Sequence, residues 1–124
     1  MFDINSNPVI ANVDPKKFPI RYGGSLSSIQ ENVGKKLIDK FKFYNILEEW
    51  PIPSSKLTVD FFIPQIGIVI EVDGEQHNKF QKFFHGTIEN FLKQKERDKR
   101  KNEWCRINNF QMVRITNPNE VENL

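Results

Sequence analysis

Apolar residues recur along this chain every three to four positions, then every second position, and then every three to four again. From Gly24 onward Leu26, Ile29, Val33, Leu37 and Phe41 keep helical spacing, with Ile38 widening the stripe, and Ser25 or Ser27 stands ready as N-cap. Gly34 weakens that helix without ending it. The stretch "EEWPIPSSK" closes the segment, because two prolines cannot continue a helix and favour an extended linker. Ahead of it, residues 1–24 mix Asn, Pro, Asp and Gly with no sustained period, which predicts an arm or irregular lead-in. Its Lys16, Lys17 and Arg21 read as solvated loop charges, within reach of a phosphate backbone if one is present.

The period then shortens to two. Leu57, Val59, Phe61 and Ile63 alternate with Thr58, Asp60 and Phe62, and after "PQIG" Ile68, Ile70 and Val72 alternate with Val69, Glu71 and Asp73. A two-residue loop at Gln65 and Ile66, closed by Pro64 and Gly67, sets Asp60 opposite Glu71 and Phe62 opposite Val69. One face of this hairpin is then wholly apolar, and the other carries two opposed carboxylates.

A second helix is predicted from Thr87, its cap, to Ile107, with Glu89 in the first turn where a negative charge suits the helix dipole. Its stripe of Ile88, Phe91 and Leu92 runs on into Lys95, Asp98, Asn102 and Cys105, so the buried side turns polar halfway along. Asp98 lies about 20° around the axis from Phe91 and should point at the sheet. A last strand, "FQMVRIT", places Met112 and Arg114 on one side and Val113 and Ile115 on the other, and residues 119–124 form a short tail.

Composition narrows the possibilities. The 124 residues suit one core, here residues 25–118, and 18 Lys+Arg against 16 Asp+Glu exclude a generic polycation. A single cysteine, Cys105, excludes an internal disulfide and a multi-cysteine zinc site, and implies a reducing compartment. No apolar run approaches the roughly 18 residues of a membrane span, and no basic flank precedes one at the start, so a cytoplasmic chain away from membranes is expected.

Opposed like charges destabilise strand pairing, so Asp60 and Glu71 need a compensating cation, and Lys56 is the only base on that face of either strand. A hard divalent cation, Mg²⁺ or else Mn²⁺, is the natural candidate, since it takes carboxylate, water and phosphate oxygens. The plain alternative is a register shifted by one, or acids that simply end strands at the surface. Asp73 lies on the same face one step on, before Gly74 breaks the strand, and His77 follows after a short turn. An imidazole beside carboxylates and a metal can move a proton to or from water or a leaving oxygen. Taken alone, His77 reads as an ordinary loop histidine, as does His85. Asp98 reads either as a further site acid or as a partner of Arg97, Arg100 or Lys101 on a solvated face. Lys95, Arg97, Lys99, Arg100 and Lys101 flank the carboxylates and suit phosphate contacts, which supply most sequence-independent DNA affinity; Gln76 in the turn joins them as a DNA contact.

The segment "TVDFFIPQIGIVIEVDGEQH", a helix with "ERDKRK" and a strand "MVRI" together resemble the very-short-patch-repair-like branch of the PD-(D/E)XK nuclease superfamily. The likeness is to phage homing-type endonucleases of the Glu-Asp-His-Asp kind and covers residues 25–116. It implies an α/β (α+β) restriction-endonuclease-like core, a mixed central sheet flanked by helices, and a Mg²⁺-dependent endonuclease acting on double-stranded DNA in a bacterial cell or phage-infected host. It also implies site residues: Asp60, Glu71 and Asp73 for the metal, His77 and Asp98 as catalytic partners, and a first-helix acid at Glu31, a position that Gln30 could take instead. Ser28 with Glu31 alternatively forms a capping box. Asp73 replaces the lysine of the (D/E)-x-K triplet, which leaves its charge work to Lys95, Lys99 or His77. One cysteine argues against the structural zinc of the repair enzymes. Two further readings remain open: a nucleic-acid-binding module of the same fold without cleavage, and a nuclease subunit of a replication or recombination assembly. Target recognition then falls to the arm, to loops, to a homodimer, or to a further DNA-binding domain or protein.

Overall fold

A computed structural model describes residues 1–21, 27–73 and 86–124 of the chain. They form a mixed α/β unit. Helix α1 (Ser28–Lys40) precedes an antiparallel meander of β1 (Leu47–Pro51), β2 (Thr58–Ile63) and β3 (Ile68–Val72). Helix α2 (Ile88–Ile107) then leads to β4 (Gln111–Ile115), which pairs parallel to β3, and a 3-10 turn at Pro118–Asn123 follows. Strand order in the sheet is β1-β2-β3-β4. A parallel pair needs a long crossover, and α2 lies within it.

The β2–β3 register puts Phe62 opposite Val69, as the period of two requires. The loop differs in form: Pro64–Ile66 make one 3-10 turn, and Gly67 ends it at φ 62°, a left-handed conformation that favours glycine. Both faces of the hairpin are buried, because Phe61, Ile63 and Ile70 pack under α1 with Val33, Leu37 and Ile115, while Phe62 and Val69 pack with Trp104 and Cys105 of α2. Ser27 is the N-cap of α1, accepting from the Gln30 amide; Thr87 caps α2 in the same way through Asn90.

Two expectations need correction. "EEWPIPSSK" is not a linker, since Leu47–Pro51 form an edge strand and Pro51 sits at its end, where a missing N–H is tolerated. Residues 119–124 do not trail away, since Val121 is buried against α1's side of the core. Residues 1–21 are irregular but held: the indole N–H groups of Trp50 and Trp104 donate to the carbonyls of Asn12 and Phe2 at 2.8 and 2.9 Å.

Along α2 the expected stripe is only half used. Trp104 and Cys105 are buried, whereas Ile88 and Leu92 are each 60% exposed. The layer between α2 and the sheet is apolar beneath Trp104 and becomes ionic beneath Asp98 and Lys101.

Candidate active site

Pairing of β2 with β3 stops at Phe61 and Ile70. One residue further the main-chain ladder is replaced by side chains. The Asp60 amide donates to Glu71 Oε2 at 3.0 Å, and the Val72 amide donates to Asp60 Oδ2 at 2.7 Å. Two carboxylates therefore stand where two carbonyls would, as the hairpin register requires, and they lie within hydrogen-bonding range of each other.

Charge compensation comes from other elements than β2 or β3. The Lys101 ammonium, from α2, donates to Glu71 Oε1. Arg114, on β4 directly beside Glu71, reaches Asp73 Oδ2 at 3.1 Å and Asp98 Oδ1 at 3.6 Å through Nη1. Its Nη2 donates to the Asp98 carbonyl at 3.4 Å and to Asn102 Oδ1 at 3.0 Å. The hairpin strands offer only Lys56 on that face, and the cations that engage Glu71 and Asp73 come instead through the β3–β4 register and the α2 packing.

Asp60 has no such partner. Among the described residues no cation contacts it, and burial together with the negative charges of Glu71 and Glu49 pushes its carboxyl up to about 8, against the pull of the Val72 amide. Burial, and next the charge of Glu71, likewise raises the Cys105 thiol to about 12, which leaves it an inert core group.

A third acid reaches the same place from β1. Between the paired Glu48–Phe61 and Trp50–Val59, Glu49 stands across from Asp60, with its backbone at φ 53°. That left-handed conformation is costly for a residue with a side chain, and it breaks the alternation of β1, so that Leu47 and Trp50 both join the α2-side cluster. The buried Gln30 amide holds the result, donating to Glu48 Oε2 at 2.8 Å and to Glu49 Oε1 at 2.7 Å. Glu49 and Gln30 were not predicted to meet; only the left-handed turn brings them together, and no periodicity signals it.

Asp60, Glu71, Asp73, Gln94, Arg97, Asp98 and Lys101 line one polar cleft of about 230 Å³. Asp60, Glu71, Asp73 and Asp98 are therefore brought together as expected. Glu31 is not: it pairs with Lys35 at 3.4 Å, one helical turn on, and does not line the cleft. Of the predicted DNA contacts, Lys101 is turned inward to Glu71, Arg97 stands at the cleft wall with no ion pair among the described residues, Lys95 lies 5.5 Å over the Phe91 ring, and Lys99 and Arg100 are exposed. His77 and Gln76 lie outside the described residues. Among those residues no three His, Cys, Asp or Glu side chains are gathered to hold a metal ion, and no helix is long and apolar enough to cross a membrane.

No family model matches the chain, and no solved structure matches it significantly. It is similar to "Uncharacterized protein 033L" of Invertebrate iridescent virus 3, 35% identical over 65 residues that make up 52% of this chain and 34% of that protein. It is also similar to "Uncharacterized protein 307L" of Invertebrate iridescent virus 6, 33% identical over 70 residues, 52% of this chain and 36% of that one. The chain spans about a third of the length of these curated relatives.

Proposed function

We propose that this chain is a divalent-metal-dependent nuclease domain of the PD-(D/E)XK kind, hydrolysing phosphodiester bonds of double-stranded DNA. One observation carries the reading: Asp60 and Glu71 replace the ladder hydrogen bonds where β2 and β3 part, and both face a cleft walled by Arg97 and Lys101. The donors fit a hard ion held by two carboxylates, with water and phosphate oxygens completing its shell, which is how Mg²⁺ is commonly bound. They do not fit a three-carboxylate cage, because Asp73 is drawn to Arg114. Asp60 and Glu71 would hold the ion, which when bound activates water and offsets phosphate charge.

The rest of the chemistry belongs to the chain. Arg97 supplies a guanidinium at the cleft wall for non-bridging phosphate oxygens. Of the groups weighed for the absent triplet lysine, Lys95 and Lys99 do not line the cleft and His77 lies outside the described residues; Lys101, not among those weighed, does line it. Arg114 fixes Asp73 and Asp98 and so sets the distance between β3 and α2. A proton transfer by His77 belongs to the proposal and to a residue outside those described.

A second reading, a nucleic-acid-binding module without cleavage, draws on the same salt bridges: Lys101 with Glu71 and Arg114 with Asp73 and Asp98 can serve as structure alone. Conversion of supercoiled plasmid separates the two. With Mg²⁺ or Mn²⁺ the wild type should give relaxed or linear product, EDTA should stop it, and Asp60→Asn, Glu71→Gln and His77→Ala should each lose it by about a hundredfold or more. Intact plasmid with the wild type, still shifted in a gel, would transfer the case to the binding module.

A further inference from the structure

Glu71 is 3% exposed, and both of its oxygens are engaged, Oε2 by the Asp60 amide and Oε1 by Lys101. The two cations of this layer are held in different ways. Arg114 makes four polar contacts in a planar fork, to Asp73, twice to Asp98 and to Asn102. Lys101 has one polar partner among the described residues, Glu71, on a flexible four-carbon stem that lines the open cleft. A guanidinium fixed at several points cannot leave without undoing the β3–α2 layer. An ammonium held at one point can swing away.

We infer that Lys101 and a divalent cation are alternative occupants of Glu71. This deepens the nuclease reading and rests on it. With Lys101 on Glu71 the carboxylate is neutralised from inside the fold. A dication on the same buried oxygen places like charges side by side, which drives the ammonium out into the cleft, where Arg97 stands and where a phosphate would lie. The lysine thus weakens metal binding in the absence of substrate, and becomes a phosphate contact once the metal is in place.

The test is Mn²⁺ binding without DNA, followed by the electron paramagnetic resonance signal of the free ion, in wild type, Lys101→Met, Lys101→Arg and the double variant Lys101→Met with Asp60→Asn. Lys101→Met should bind Mn²⁺ at least about tenfold more tightly than wild type, Lys101→Arg should not, and the double variant should lose the gain. Removal of the lysine leaves Glu71 buried without a counter-ion, so thermal denaturation is run alongside. Mn²⁺ should then raise the Tm of Lys101→Met more than that of wild type. If wild type binds and Lys101→Met binds equally or less well, the exchange is wrong while the nuclease reading stands. If Lys101→Met does not fold even with Mn²⁺, the lysine is a structural counter-ion and the exchange is again wrong. If neither protein binds Mn²⁺ in the millimolar range, the metal-dependent reading itself falls and takes the exchange with it.

Discussion

Replacing Asp60 by Asn should stabilise the metal-free protein at neutral and alkaline pH and, under the proposed nuclease function, abolish cleavage. In the folded chain burial and then the charge of Glu71 raise the Asp60 carboxyl from an ordinary 3.8 to about 8. A carboxyl raised by folding binds more protons folded than unfolded between those two values, so its contribution to stability is complete below the lower one and is lost as pH rises through the upper one. Each tenfold of proton affinity is worth about 1.4 kcal/mol, so raising the pH from about 5 to about 7 removes at most about 3 kcal/mol. For a domain of this size that lowers Tm by roughly 10 °C. An asparagine keeps both useful contacts of the protonated acid: its oxygen can accept the Val72 amide and its NH₂ can donate to Glu71, while it has no proton to lose. The assay is thermal denaturation by circular dichroism in EDTA from about pH 5 to about pH 9, on wild type and Asp60→Asn. Only the difference between the two curves matters, since it cancels the other titrating groups. Wild type should lose Tm relative to the variant across that range. Parallel curves, or a variant less stable than wild type at about pH 8, would refute the claim that Asp60 is held without a counter-charge.

Arg114→Gln leaves Asp73 and Asp98 facing each other without the guanidinium. Full burial would make that a loss of 3–5 kcal/mol, but Arg114 is 27% exposed, so about 2 kcal/mol is expected in urea denaturation; a change below about 0.5 kcal/mol would mean the bridge is ornamental. Cys105, buried and with its thiol raised to about 12, should resist an aromatic disulfide reagent at about pH 8 until the chain is unfolded in urea. Fast labelling of the native protein would show that the core beside Trp104 opens far more readily than its packing implies.

The parts of this structure that could be read from the sequence are those governed by local spacing. A period of two together with a short loop ending in Gly67 fixes the β2–β3 register, and the register alone places Asp60 against Glu71. Thr87 and Ile107 bound α2 because a capping side chain and the loss of period both leave marks in the chain. Strand β1 left no such mark. Pro51 and Pro53 signal a linker, and the left-handed Glu49 interrupts the alternation by which a strand is recognised. The cations were missed for another reason: Lys101 meets Glu71 thirty positions away, and Arg114 meets Asp73 across forty-one, through a helix packing and a parallel register that no local pattern encodes. Ile88 and Leu92 show the converse, an apolar stripe that the described core does not use.

Across the sheet Glu49, Asp60, Glu71 and Arg114 stand in one row, three acids and then a base. A row built only for stability would place a cation or an apolar side chain in its middle, since like charges on neighbouring strands oppose pairing. Here the fold neutralises Glu71 from α2 and Asp73 from β4, yet leaves Asp60 between two acids, on a partly broken ladder and at the wall of a cleft. The surrounding hydrogen bonds hold Asp60 in that position, with the Val72 amide on one of its oxygens and its own amide on Glu71. A carboxyl fixed in an unfavourable electrostatic position by otherwise well-satisfied neighbours is the usual condition of a group reserved for a ligand or a reaction. A cation arriving at Asp60 would gain from both the repulsion it relieves and the proton it displaces, so under the proposed metal-dependent function metal affinity and pH-dependent stability should change together when Asp60 is altered.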